Sequence, residues 1–480
     1  MYLAHAFGQR YELPIPLLLF VLGGAGVVLL SFVLVLPRAV AARNEEAPPP
    51  DRTPLRRLSP AGAGASFVGL LFLVVAGLVG SQTVSENIVP TVFWLLVWIA
   101  VPLSCGLLGD WTQVVNPFAA IATVTDSTSL RRAVLGREQP VRWPAALGWW
   151  PAAGIFFVLA CGELIYNHTA TLPRVTATGL LGYFLVSAFL GLLFGREWRT
   201  CGEVFSVLFA TWGRLGYFRF GAPGRRRYAG GLAVPFEATP SRVAFVLLLL
   251  VSVSFDGLLA TPIWTRFSRG LPGPLRVGSA GLEGLTTVAF LLLAALTCLV
   301  FGAFAVAVAR AGAHRVGPGI ALAGLLPSLL PIAFGYLLAH NVQYLLVNAQ
   351  LLFPLIGNPI GTQSWPIHLP NPFNDSFEVH VALLPTAAYW YIAMVVIIAV
   401  HVVAVVLAHR HLGTATGDQQ RARRSEYPWV AAMVAYTMLS LWLLAQPLVK
   451  EKAGEANQVA ARALPAAVEV AGAAVGAPAP

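Results

Sequence analysis

The sequence predicts an all-α polytopic membrane protein, a bundle of about ten transmembrane helices with the N- and C-termini outside. Hydrophobic residues make up 57% of the 480 positions and charged residues only 11%, whereas a soluble domain carries roughly 25% charged residues. The apolar residues are gathered in ten runs, each close to the roughly 20 residues that a helix needs to cross the hydrocarbon core. Helices are the expected spanning element because lipid offers no partner for free backbone N–H and C=O groups.

The ten runs define the predicted spans in chain order. They lie near residues 13–36, 64–81, 89–109, 145–166, 175–195, 242–263, 284–309, 321–346, 386–409 and 428–448. No connection is long enough for a separate soluble domain, so residues 1–449 are predicted to form one membrane domain. Residues 450–480 are rich in Ala, Pro and Val and are expected to be a disordered tail.

Arginine sets the predicted orientation. Of the 31 basic residues, 23 lie on the odd-numbered connections between spans. The positive-inside rule therefore places these connections in the cytoplasm and both termini outside. Because this distribution accounts for the net charge of +10, no nucleic-acid partner is expected. The excess of Ala, Val, Arg and Pro is typical of a high-GC bacterial genome, which makes the bacterial inner membrane the expected location.

Two cytoplasmic connections are predicted to be structured. One begins at Asp110 and runs through DWTQVVNPFAAIATV, and the other, Cys201–Phe218, mixes apolar residues with Trp and Arg. Each is expected to lie in the membrane interface as an amphipathic helix, with a plain capped connector as the alternative.

Asp256 is the most informative polar residue because it falls in the outer half of the sixth predicted span. A carboxylate at that depth must be paired, protonated or in contact with a wet cavity. Intramembrane ionisable residues are functional candidates by default. A structural hydrogen bond between helices is the alternative.

The eighth span carries the second anomaly. Its apolar run over 321–356 would be about 54 Å long as a helix, which exceeds the hydrocarbon core of roughly 30 Å. The helix is therefore expected to tilt, to project outward, or to break at Pro327 or Pro331. One face of its outer half is polar and is expected to line the bundle interior or a cavity; its residues are His340, Gln343, Val347 and Gln350.

Other titratable residues permit further assignments. Glu163 and Glu283 lie near the outer ends of their spans and are expected to reach water, although Glu283 is also a third candidate metal ligand beside Asp256 and His340. A metal or haem held jointly by His340 and His401 is disfavoured because the two lie at different depths. The cysteines lack metal-binding spacing and are expected to be buried hydrophobes; they are Cys105, Cys161, Cys201 and Cys298.

Five segments carry a resemblance to a known family. They are AHAFGQRYELPIPLLLF, LGDWTQVVNPFAAI, SVSFDGLLATPIW, LLPIAFGYLLAHNVQYLLVNAQ and YIAMVVIIAVHVVAVVLAH. In this order they resemble the bacterial polytopic membrane proteins known as fenitrothion hydrolase subunits, over most of residues 1–410. The resemblance implies a membrane-bound hydrolase of organophosphate triesters that works with a second membrane subunit on a lipophilic substrate.

Asp256 and His340 lie inside the similar segments and are the predicted catalytic residues. A divalent metal held by His340, Asp256 and Glu283 would activate water and polarise the P=O bond. Two other functions stay open. The first is a transporter or permease that uses the proline-containing, polar spans as a path. The second is a non-catalytic subunit of a membrane complex whose polar residues hold helices together.

Overall fold

The computed structural model describes residues 17–35, 59–220, 228–233, 236–313, 317–416, 418 and 420–443. This part of the chain is helical and contains no β-strand. The predicted C-terminal tail, the beginning of the first predicted span and the end of the tenth lie outside the described residues.

Fourteen helices define the described architecture. They are α1 Leu17–Val35, α2 Pro60–Val79, α3 Ile88–Leu108, α4 Pro117–Thr125, α5 Thr128–Leu135, α6 Trp150–Leu164, α7 Pro173–Phe194, α8 Val204–Gly213, α9 Pro240–Leu259, α10 Pro262–Arg269, α11 Ala280–Ala311, α12 Pro318–Asn348, α13 Thr386–Thr416 and α14, residues 420–443. Single turns or very short helices occur at Thr112–Val114, Asn167–Ala170, Trp198–Gly202, Gly230–Ala233, Gly273–Leu275, Ala349–Leu351 and Leu352–Gly357. Residues Thr91–Ala100 of α3 are π-helical.

Each predicted span overlaps one of these helices, which differ in length and apolar character. Seven helices are long and apolar enough to cross a membrane: α2, α3, α7, α9, α11, α12 and α13. The apolar helices α1 and α6 are shorter, and α14 begins eight residues before the predicted span, within a charged segment. The described fold is therefore that of a multi-pass membrane protein, while the count of ten and the orientation remain predictions.

The helix α12 lies at the centre of the bundle. In its most apolar stretch 89% of the residues are buried, against 17–44% in the other six candidate spans. Its 31 residues continue through Pro327 and Pro331 without interruption, so the predicted break does not occur. Close approaches at Gly324 and Gly335 pack α12 against α13, where an added Cβ would overlap the ring of His411 and the side chain of Val400 respectively.

Two short helices, α4 and α8, lie on the predicted cytoplasmic connections, and α8 is the more deeply buried of the two. The small residues of α4 pack on α7, and it buries Phe118. In α8, eight of the ten residues are buried, so the prediction of an interfacial helix is wrong there. The reason is that α8 packs against α3 and α6, which cover the surface that was expected to face lipid headgroups.

The N-termini of α4 and α8 meet at a buried carboxylate. Glu203 caps α8, accepting hydrogen bonds from the backbone N–H groups of Phe205 and Ser206 at 3.1 and 2.7 Å. It also accepts from Asn116 Nδ2 at 2.8 Å and from the Tyr183 hydroxyl at 2.9 Å. Asn116 in turn caps α4. A negative charge between two helix N-termini is favoured by both helix dipoles.

Candidate functional site

The two predicted catalytic residues are in direct contact, and they form an ion pair whenever the histidine is protonated. Asp256 lies in the last turn of α9, and His340 lies about two turns before the end of α12. The packing of α9 against α12 places His340 Nε2 2.5 Å from Asp256 Oδ2. Their side chains are 30% and 22% exposed, so the pair faces an open space and is not sealed between the helices. This agrees with the expectation that a carboxylate at this place must be paired or in contact with a cavity.

The open space is a cavity of about 80 Å³ between α3, α6, α8, α9 and α12. Since a water molecule needs roughly 10–15 Å³ measured in this way, several waters or one small ligand fit. Its polar lining residues are Glu163, Ser252, Asp256, His340 and Asn341, and its aromatic ones are Trp98, Phe156 and Trp212. Most of the wall is thus apolar, with a few polar groups on one side, which is the usual composition of a small-molecule site.

Glu163 is the residue of this cavity that the sequence analysis did not assign to a site. It was expected to reach water at the end of its span, but its carboxylate lines the cavity and accepts a hydrogen bond from Trp98 Nε1 at 2.5 Å. It also interacts electrostatically with Asp256 and His340. Trp98 lies 65 positions earlier in the chain, and no local pattern in the sequence signals this contact.

Glu283, the third predicted metal ligand, belongs to another pair. Its Oε1 lies 3.4 Å from Nε2 of His168, whose side chain is 60% exposed, and Glu283 does not line the cavity. Across the described ranges, no group of three or more His, Cys, Asp or Glu side chains is arranged to hold a metal ion. The structure therefore does not bring Glu283 together with Asp256 and His340, and the divalent metal remains a prediction.

His401 is separated from the cavity pair. It is fully buried, and its Nδ1 lies 2.7 Å from the carbonyl oxygen of Ile397. The close approaches of α12 and α13 place His401 opposite Phe334, six residues from His340. Six residues correspond to about 9 Å along the helix, so a shared ligand would have to bridge that depth.

Gln343 and Gln350, the other polar residues of the predicted face of α12, lie apart from the cavity. Gln350, just after α12, accepts from the backbone N–H of His380 at 3.0 Å and donates to its carbonyl at 3.1 Å, which holds the connection between α12 and α13 against the end of α12. Gln343 is not among the residues that line the cavity.

The four cysteines have free thiols, with Cys105 and Cys161 buried.

No family model, no curated protein and no solved structure matches this chain. What the cavity can do follows from its groups. A histidine takes up and releases a proton near neutral pH, and a neighbouring carboxylate orients the imidazole and stabilises the imidazolium. The second carboxyl group, Glu163, gives the cavity another place for a proton or a hydrogen-bonded ligand.

Proposed function

We propose that the cavity is an acid–base site that hydrolyses a small lipophilic ester, with His340 as general base and Asp256 as the group that orients it. The observation that supports this proposal is the His340–Asp256 pair, which is exposed to a cavity with an otherwise apolar wall. The organophosphate triester class comes from the resemblance of the sequence.

In the proposed reaction, a water molecule in the cavity attacks phosphorus while its proton passes to His340. The P–O bond to the leaving group breaks, and the departing oxygen takes the proton back from the imidazolium. Asp256 stabilises the imidazolium between these two steps. Apolar substituents of the ester contact Trp98, Phe156 and Trp212. These steps use only side chains that line the cavity.

The test uses purified protein in lipid nanodiscs and a chromogenic aryl phosphotriester. His340→Gln and Asp256→Asn are each expected to lower kcat/KM by about 100-fold or more, the usual contribution of a positioned acid–base group. The matched controls, His168→Gln and Glu283→Gln, make equivalent changes in the His168–Glu283 pair, which lies outside the cavity, and should leave kcat/KM unchanged. Wild-type rates in both cavity variants would refute the proposal.

Transport is the second candidate function, and the position of α12 favours it. The helix that carries His340 is the most buried of the candidate spans and contains two prolines, and polar residues on such a helix are used by ion and solute paths. Uptake of the same neutral esters into proteoliposomes, measured with and without a pH gradient, separates the two functions. Flux that depends on the gradient and disappears in His340→Gln would establish transport, whereas hydrolysis without flux would exclude it.

A second membrane subunit is part of the same proposal, because the resemblance implies one. Expression in a bacterial host that carries the neighbouring membrane proteins of the source genome, followed by gentle solubilisation, would reveal a stoichiometric partner. Full hydrolytic activity of the chain alone would make the partner unnecessary.

A further inference from the structure

One face of α14 carries a continuous set of polar groups inside the bundle. Glu426, Trp429, Met433, Tyr436 and Ser440 follow one another at intervals of three and four residues, which places them on a single helical face. Four of the five are buried to 1% exposure or less, and Tyr436 is half-buried. Only Met433 lacks an O–H, N–H or carboxyl group. The set covers about 21 Å along the helix; we call it the α14 polar face.

The end of this face nearest the predicted cytoplasmic side is a buried acid–base pair. His409 Nδ1 of α13 lies 2.8 Å from Glu426 Oε1, and the two side chains are 9% and 1% exposed. The second carboxyl oxygen, Glu426 Oε2, is buried and has no hydrogen-bond partner within the described part of the chain. The other charge that interacts with Glu426 is Arg423. A carboxylate oxygen without a donor is costly in an apolar interior, and a bound proton removes that cost.

Near its other end, the α14 polar face contacts the two helices that carry the cavity pair, α9 and α12. The Tyr436 hydroxyl lies 2.8 Å from Ser254 Oγ, two residues before Asp256 on α9. The rings of Tyr436 and Tyr336 pack with their centroids 6.4 Å apart. Tyr336 lies one helical turn before His340 on α12, and its buried hydroxyl lies near Ser440, the last residue of the α14 polar face. Tyr436 thus contacts both helices that carry the cavity pair, two residues before Asp256 on α9 and one turn before His340 on α12.

We propose that the α14 polar face is a proton path between the cavity and the Glu426–His409 pair. Only protons move along it: each hydroxyl or carboxyl group accepts a proton on one side as its own O–H bond breaks on the other. Glu426 and Tyr436 are about 15 Å apart along the helix, so a row of water molecules must carry the proton past Met433. The Trp429 N–H, which has no partner in the described ranges, holds one of them. The path goes beyond the proposed hydrolysis, which releases one proton from the diester acid that it forms. It would serve proton-coupled transport equally, because such transport must also move a proton to or from the cavity.

The structural alternative is that these polar groups only hold helices together. The two cases differ in an observable way, since helix contacts do not conduct protons. The test therefore measures proton flux without any substrate, so that its outcome is independent of hydrolysis.

The experiment uses proteoliposomes that contain a pH-sensitive dye, with a potassium diffusion potential driving protons inward. Wild-type protein is expected to acidify the lumen well above protein-free vesicles. Glu426→Gln is expected to lower the flux by about tenfold or more, as the loss of a positioned proton-transfer group does. Tyr436→Phe, which keeps the packed ring and removes only the hydroxyl, is expected to lower it as well.

The matched control is Asp418→Asn, eight residues before Glu426. The Asp418 carboxylate is 50% exposed and paired with Arg421, so the proton flux of this variant should equal that of the wild type. A wild-type flux no greater than that of empty vesicles would overturn the proposal. Equal flux in wild type, Glu426→Gln and Tyr436→Phe would overturn it too. If Glu426→Gln fails to fold, Tyr436→Phe alone decides. Intact proton flux in a protein that hydrolyses no ester would reject the proposed function and leave the path standing.

Discussion

Replacing Glu203 with alanine should destabilise the bundle more than any other single carboxylate truncation outside the cavity. The side chain is fully buried and joins three segments, since it caps α8, binds Asn116 at the start of α4 and binds Tyr183 in the middle of α7. Alanine removes all of these acceptors at once, while the donors remain buried.

The size of the loss follows from those donors. Losing the cap of α8 costs about 1 kcal/mol. The Asn116 amide and the Tyr183 hydroxyl are each left without their acceptor, at about 1–3 kcal/mol per group. Because neighbouring contributions are not additive, we expect a total of about 4 kcal/mol. Glu203→Gln keeps one oxygen and turns an NH₂ group towards donors, so about half of that loss is expected.

The assay is equilibrium unfolding in mixed detergent micelles, followed by the reactivity of the four free thiols as they become exposed. The control is Glu197→Ala, which removes an exposed carboxylate six residues earlier and should change the free energy of unfolding by no more than about 0.5 kcal/mol. Added formate should partly restore Glu203→Ala, because an anion can occupy the space between the two helix N-termini. A Glu203→Ala protein as stable as the control, with no formate effect, would refute the role assigned to this carboxylate.

Two further predictions concern the predicted cytoplasmic side. Arg131 is 2% exposed and donates to the carbonyl groups of Leu192 and Glu138 at 2.8 and 3.0 Å and to Asp126 at 2.5 Å. Arg131→Lys keeps the charge but cannot make all three bonds, so about 2–3 kcal/mol of unfolding free energy should be lost. An unchanged free energy of unfolding in this variant would contradict the geometry. Burial raises the pKa of Asp110 above its ordinary value of 3.8. The folded state therefore holds this proton more tightly than the unfolded state, and stability is lost as the pH rises through the raised pKa. Unfolding measured at a series of pH values should show Asp110→Asn gaining stability relative to wild type as the pH rises through the raised pKa of Asp110. If the stability difference between the two proteins does not change with pH, burial of the Asp110 carboxylate is not its cause.

The position of the site was predictable because its physics is local to each residue. A carboxylate within an apolar helix must find a partner or water, and Asp256 finds both in His340 and the cavity. The helices themselves follow from apolar runs long enough to span a bilayer. These arguments need only the residue and its own helix, so the sequence is sufficient for them.

What could not be predicted depends on contacts between distant segments. The apolar composition of α8 fits a helix in the membrane interface as well as a helix inside the bundle, and only the surfaces of α3 and α6 decide between them. The partners of Glu163 and Glu203 are 65 and 87 positions away. A break at the prolines of α12 was one of three predicted alternatives, and it does not occur, because a transmembrane helix tolerates proline where its neighbours satisfy the freed backbone groups.

The charged groups of the cavity favour the neutral substrate of the proposed reaction over its anionic product. Glu163 and Asp256 contribute two carboxyl groups and His340 a single imidazole, so while Asp256 is ionised the net charge is zero or below, whether His340 is neutral or protonated. A neutral phosphotriester enters such a site without an electrostatic penalty, and its apolar groups match the aromatic wall. Its product is an anionic diester, which meets carboxylates in a medium of low dielectric constant, where like charges repel strongly. Hydrolysis thus converts a molecule that suits the cavity into one that the same side chains expel.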